Sequence, residues 1–163
     1  MNGRDIILKL AEVFLAGLLV VMLAGMIRGS TQNPDFGRLE AKVEAELPLE
    51  QLERADEQLL RRLYDLNAGE MKNWILYTAL DNMDVEELLL VEAAKEGQVS
   101  KIRQAVEKRV ETQRNHFEGY GPEQLKLIEK YVIWESDPYL LFVISENAEA
   151  VKEGFVKGLY EER

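Results

Sequence analysis

The chain has 163 residues, with thirty Asp and Glu against twenty Lys and Arg, a formal net charge of −10, and no cysteine. A surface this acidic repels a phosphate backbone, which argues against nucleic-acid binding. The missing cysteine excludes disulfides, thiolate metal sites, cysteine nucleophiles and a lipid-modified N-terminal cysteine, so any domain must hold together by packing alone.

From Val13 to Ile27 fifteen consecutive residues are uncharged and mostly apolar. A helix rises about 1.5 Å per residue, so Leu10 to Ile27 is just long enough to cross a hydrocarbon layer about 30 Å thick. Lys9 and Glu12 then mark the inner edge of the span and Arg28 its outer edge. Glu12 lies three residues after Lys9 on the same helical face, where pairing and snorkelling make a charge tolerable. A cleaved signal would need a small-x-small site. Cutting after Ala24 or Gly25 puts Met22 or Leu23 where a small residue belongs, and only Ile27-Arg28-Gly29 is a marginal candidate; a buried soluble helix is the third alternative. Flanking basic residues, Arg4 and Lys9 against Arg28 and Arg38, give a weak orientation bias. The short segment before the span fits a signal-anchor with the C-terminal domain outside the cytoplasm. The expected organisation is a transmembrane signal-anchor over 1–28, a juxtamembrane linker over 29–47 and an extracytoplasmic domain over 48–163. The protein is thus expected in the cell membrane as a single-pass chain, with membrane lipid as one partner.

In the linker, Gly29, Ser30, Asn33, Pro34 and Gly37 break regular structure, and Glu40 to Glu46 is read as starting a helical turn. Pro48 suits the first position of a helix, where its missing N–H costs nothing. Leu49, Leu52, Leu59, Leu63 and Leu66 follow at helical spacing, which predicts an amphipathic helix to about Tyr64. The period then changes. Trp74 to Leu80 and Glu87 to Ala94 read as strands of a hairpin turning at Asp81, Asn82 and Asp84. Gly97 opens a long helix with Val99, Ile102, Val106, Val110, Gln113 and Phe117 on one side.

The same grammar repeats afterwards. Gly119, Tyr120, Gly121 and Pro122 turn into a short helix bearing Leu125 and Ile128. Tyr131 to Glu135 and Tyr139 to Ser145 pair around Ser136, Asp137 and Pro138. Asn147 is placed to cap a last helix carrying Ala148, Val151, Phe155 and Leu159. Hairpins force antiparallel neighbours, and the helices after them must bury their apolar stripes. The predicted fold is therefore α+β: two strand-strand-helix units forming a four-stranded antiparallel sheet backed by helices.

Four segments carry a resemblance: YDLNAGEMKNWILY from Tyr64, ELLLVEAAK from Glu87, HFEGYGPEQ from His116 and YLLFVISENAEAVKEGF from Tyr139. Together they resemble a bacterial family of uncharacterised proteins, the domain-of-unknown-function family numbered 4358, over roughly residues 45 to 160. The resemblance implies a small α+β domain outside the membrane, as in Firmicutes lipoproteins or membrane-anchored proteins. This chain departs from lipoprotein members in lacking the cysteine, which leaves anchoring to the span. The family brings no activity to carry over.

The residues offer few sets for chemistry. His116 is the single histidine, which rules out a multi-histidine metal site. Its conceivable serine partners, Ser100, Ser136 and Ser145, lie on no Gly-x-Ser-x-Gly elbow. Asp81, Asn82, Asp84, Glu86 and Glu87 concentrate oxygen ligands. A calcium loop would also need donors at its third and fifth positions and a glycine at its sixth, where Met83, Val85 and Glu86 stand, so a solvated turn is the better reading. Gly119-Tyr120-Gly121 follows a helix and is a turn rather than a phosphate loop. No catalytic residue, metal or cofactor is expected.

Two features suggest contacts. Tyr120 stands in an exposed turn, and Lys101, Lys108, Arg109 and Arg114 give the long helix a basic excess within an acidic domain, suited to anionic headgroups or an acidic partner. Trp74, Tyr77, Tyr131, Trp134 and Tyr139 fall on the hairpins, where an exposed subset could stack on sugar rings. The resulting expectation is a non-enzymatic interaction module of the bacterial cell envelope with an envelope protein partner. The alternative is a carboxylate-dependent envelope hydrolase or a sugar-binding domain.

Overall fold

The computed structural model describes residues 35–161. The expected span, with Lys9, Glu12 and Arg28, lies outside the described residues. Among these no helix is long and apolar enough to cross a membrane.

In chain order the elements are α1 (Phe36–Glu44), β1 (Leu52–Arg54), α2 (Glu57–Tyr64), β2 (Met71–Ala79), β3 (Glu87–Ala93), α3 (Gln98–Phe117), α4 (Pro122–Glu129), β4 (Val132–Ser136), β5 (Tyr139–Ile144) and α5 (Ala148–Tyr160), with short 3-10 turns at Leu49–Gln51 and Ala68–Glu70. The sheet runs β1-β2-β3-β5-β4, and every neighbouring pair is antiparallel. The α+β class and both hairpins are as expected, and the two hairpins join through β3 and β5.

The sheet has five strands rather than the expected four. The helix expected from Pro48 to Tyr64 is interrupted: Leu52, Glu53 and Arg54 pair with Ala79, Thr78 and Tyr77, and the Ala55 N–H donates to the Leu76 carbonyl at 2.8 Å. Leucines at helical spacing misled because Leu52 faces the sheet core while Leu49 is exposed. The helix proper begins after Asp56, whose carboxylate accepts the Leu59 N–H at 2.8 Å as an N-cap.

Helices cover both faces of the sheet. On the first face Leu76, Leu89, Val91, Leu140 and Phe142 pack against Leu60 of α2, Ile102 and Val106 of α3 and Ile128 of α4. On the second, Ile75, Leu88, Leu90, Leu141 and Val143 pack against Leu39 and Val43 of α1 and Val151 and Phe155 of α5. A strand covered on both faces has no polar side to show, which is why β3 and β5 read as unbroken apolar runs.

Helix α1 falls in the stretch expected as linker and is part of this packing. It lies antiparallel to α5: Arg38 Nη2 donates to the Gly158 carbonyl at 2.9 Å, and Asn147 Nδ2 donates to the Glu46 carbonyl at 3.3 Å. Gly154 and Gly158 permit the approach. A Cβ would meet the Lys42 carbonyl oxygen at 3.2 Å from the first and Leu39 Cδ2 at 3.1 Å from the second. Asn147 holds the N-cap position of α5, but its side chain makes no capping bond; the Ser145 hydroxyl accepts the Asn147 N–H instead, at 3.3 Å.

Candidate functional site

The apolar run of β3, Leu88 to Val91, is bracketed by Glu87 and Glu92, both only 2% exposed. A buried carboxylate is tolerable only when its oxygens are matched by donors. Glu87 faces α3, where Arg109 and Gln113, four residues apart, project from one side of the helix. Arg109 reaches Glu87 with Nε at 3.1 and 3.2 Å from its two oxygens and with Nη2 at 2.7 Å from Oε2. Gln113 Nε2 donates to Oε2 at 2.6 Å, and the Tyr64 hydroxyl at the end of α2 donates to Oε1. Burial pushes the Tyr64 hydroxyl well above its ordinary value, and the neighbouring Glu87 adds to this. Burial works against the Arg109 charge, but the Glu87 hydrogen bonds and charge outweigh it and hold Arg109 above its ordinary value.

Glu92, five residues further, faces the opposite side. It accepts from Lys72 Nζ at 2.7 Å, Asn73 Nδ2 at 2.7 Å and the Tyr139 hydroxyl at 3.4 Å. On the same face of the sheet, the Tyr77 hydroxyl donates to Glu44 at 2.5 Å. Burial, then the adjacent carboxylates, push Tyr77 and Tyr139 each up to about 12. Tyrosine in the unfolded chain ionises near 10, so both side chains hold more protons in the folded state above that pH. Their contribution is intact below about pH 10 and is lost as pH rises toward 12, at no more than about 1.4 kcal/mol per pH unit for each group. Urea unfolding measured between these limits should show stability falling with pH, and Tyr77→Phe should flatten the slope.

Above the Glu87 network a cavity of about 540 Å³ opens between α2, the β2–β3 turn and α3. Arg62, Asp84, Glu86, Arg109 and His116 are among its lining residues. The turn at its rim is fixed by Asp81, whose carboxylate accepts the Met83 N–H at 2.9 Å and whose carbonyl accepts the Asp84 N–H at 3.0 Å. Among the described residues no cluster of three or more acidic or histidine side chains could hold a metal ion. Glu86 accepts from the Ser145 hydroxyl at 3.0 Å. Burial pushes the Glu86 carboxyl up against that hydrogen bond, and the like charges of Asp84 and Glu146 push the same way. An acid with a raised folded-state value opposes folding once ionised, so Glu86→Gln should melt higher than the parent at pH 7, by about 1–2 °C, with the difference vanishing below pH 4.

The structure separates the residues singled out from sequence. Tyr120 is 53% exposed, its ring 6.1 Å from His116 and 5.7 Å from Phe117. Arg109 turns inward onto Glu87, its side chain 17% exposed, and its charge is answered there. Lys101 lies 3.7 Å from Glu70, Arg114 pairs with Glu111 at 2.8 Å, and Lys108 is exposed. Ser145 is bonded to Glu86, Ser100 is sixteen residues or about 24 Å along α3 from His116, and Ser136 pairs with Tyr139 at the far end of β5 from the cavity. Trp134 and Tyr139 pack on Phe155 at 5.2 and 6.3 Å, and Tyr131 packs on Phe142 at 6.3 Å. None of the five hairpin aromatics lines the cavity.

The Tyr64–Glu87–Arg109–Gln113 network is new to the structure. Its sequence signal was a glutamine within the apolar stripe of a helix, four residues after an arginine, and an acidic residue abutting an apolar run.

A family model described as a domain of unknown function (DUF4358) matches residues 45–145. That span holds β1 to β5, the Glu87 network and the cavity, and stops short of α1 and α5. No curated protein and no solved structure matches the chain.

Proposed function

The chain belongs to the DUF4358 family, and we propose that it is a non-catalytic binding module of the bacterial cell envelope, tethered through residues 1–28 and docking a protein partner at the cavity end of its sheet. The observation that carries this reading is the rim of the cavity. Leu80, Met83 and Tyr120 are 61%, 56% and 53% exposed, three of the five large apolar side chains so exposed among the described residues. Single exposed apolar residues are ordinary; several gathered beside one concavity mark a contact surface. Their placement is firm, since Gln124 Nε2 donates to the Met83 carbonyl at 3.0 Å and so ties the β2–β3 turn to the start of α4, next to Tyr120. The Tyr120 turn rests on Gly119, at φ +89°, and on Gly121, where a Cβ would strike Phe117 Cδ1 at 2.7 Å. Below the rim, the most buried ionisable groups are committed to one another. The tether rests on the apolar run from Val13 to Ile27 and the lack of a good cleavage site.

Two experiments test the two halves of this proposal. A photo-crosslinking residue at position 120 should give discrete adducts in intact cells, and one at the exposed Gln104 of α3 should give none. Blank lanes from both positions 120 and 83 would overturn the docking half. Protease added to intact protoplasts should digest the domain. Protection would reverse the orientation, and a mature protein lighter by about 2.5–3 kDa would make the segment a cleaved signal.

A further inference from the structure

Resting on the docking reading, we infer that the cavity receives a cationic side chain, arginine or lysine, from an extended segment of the partner whose flanking apolar side chains lie on Leu80, Met83 and Tyr120. The apolar rim and the hollow beside it define where such a segment lies; charge defines what it carries. The lining includes five carboxylates, those of Glu53, Asp81, Asp84, Glu86 and Glu87, against the two guanidiniums of Arg62 and Arg109. Arg109 and Glu87 answer each other at 2.7 Å. That leaves four carboxylates against Arg62, an excess of three negative charges, with Glu53, Asp81 and Asp84 exposed and Glu86 half-buried. Attraction for a cation is stronger at the half-buried one than on open surface. Glu86 is the carboxylate that gains most: it is half-buried, its one bonded partner, Ser145, is neutral, and Asp84 and Glu146 disfavour its charge. A guanidinium or ammonium beside it reverses that balance.

The test uses the full chain in nanodiscs and fluorescein-labelled pentapeptides of sequence Leu-Ser-X-Ser-Leu, which in an extended chain puts both leucines on the same face as X, with X arginine, citrulline or glutamate. Fluorescence anisotropy should show the arginine peptide binding at least about tenfold more tightly than either of the others, with the preference shrinking in high salt. The double variant Asp84→Asn, Glu86→Gln should erase the preference while keeping the parent's circular dichroism and melting no lower than the parent. Replacing the leucines by alanine should weaken binding of the arginine peptide, and unchanged binding would show a free cation site with no role for the rim. Equal binding of all three peptides would overturn the cationic inference and leave docking intact. The cationic inference also falls if none binds up to about 1 mM while position 120 still crosslinks, whereas loss of both signals removes the two readings together.

Discussion

Arg109→Met is expected to destabilise the domain by about 3–5 kcal/mol, the cost of leaving a buried carboxylate without its cation. Glu87 stays in place, 2% exposed, with only Tyr64 and Gln113 donating to it. For a domain of this size, with a total stability of about 5–15 kcal/mol, the loss is a large fraction of the margin. Urea unfolding followed by far-UV circular dichroism measures it. The double variant Glu87→Gln, Arg109→Met should recover much of the loss, because the stranded charge is removed with its partner and an amide still answers Tyr64. A double variant as unstable as Arg109→Met alone would mean that the arginine matters through its packed stem rather than its charge.

The second large effect is expected on the opposite face. Phe155→Ala should cost about 3–5 kcal/mol, as full truncations of buried aromatics do. Phe155 is completely buried on α5, its ring 5.2 Å from Trp134 and 6.3 Å from Tyr139. The fluorescence of Trp134 should shift to the red in the folded baseline as water reaches its ring. One cooperative transition is expected in parent and variant alike. The helix lies beyond the span matched by the family, so a separate early transition would instead show α1 and α5 to be a loosely attached cover.

The long helix and both hairpins were legible because each declares itself locally: an apolar stripe at 3.6-residue spacing over Gln98–Phe117, and apolar runs broken at Asp81–Asp84 and Asp137–Pro138. Strand β1 was not, since three residues carry no period of their own; they are a strand only because Tyr77 to Ala79 are there to pair with. For α1, Gly37 and the nearby polar residues signalled a break, while the glycines that admit it, Gly154 and Gly158, stand more than a hundred residues away. The site shows the same division. Tyr120 was visible as an aromatic among turn residues. Arg109 was visible too, but as a surface charge, because nothing in a helix's own sequence tells whether an arginine faces water or a glutamate on a strand. The cavity itself is made by three elements meeting and leaves no mark on any of them.

Leu88, Leu89, Leu90 and Val91 could face either side of the sheet almost equally well, so the middle of β3 has little preference between correct alignment and a slip of one residue. Glu87 and Glu92 remove that ambiguity. They point to opposite faces, and their donors are different: Arg109, Gln113 and Tyr64 for one, Lys72, Asn73 and Tyr139 for the other. A one-residue slip would turn each carboxylate to the face where its donors are not. The two acids therefore work as a key cut on both edges, making misaligned β3 costly even where its leucines would be content.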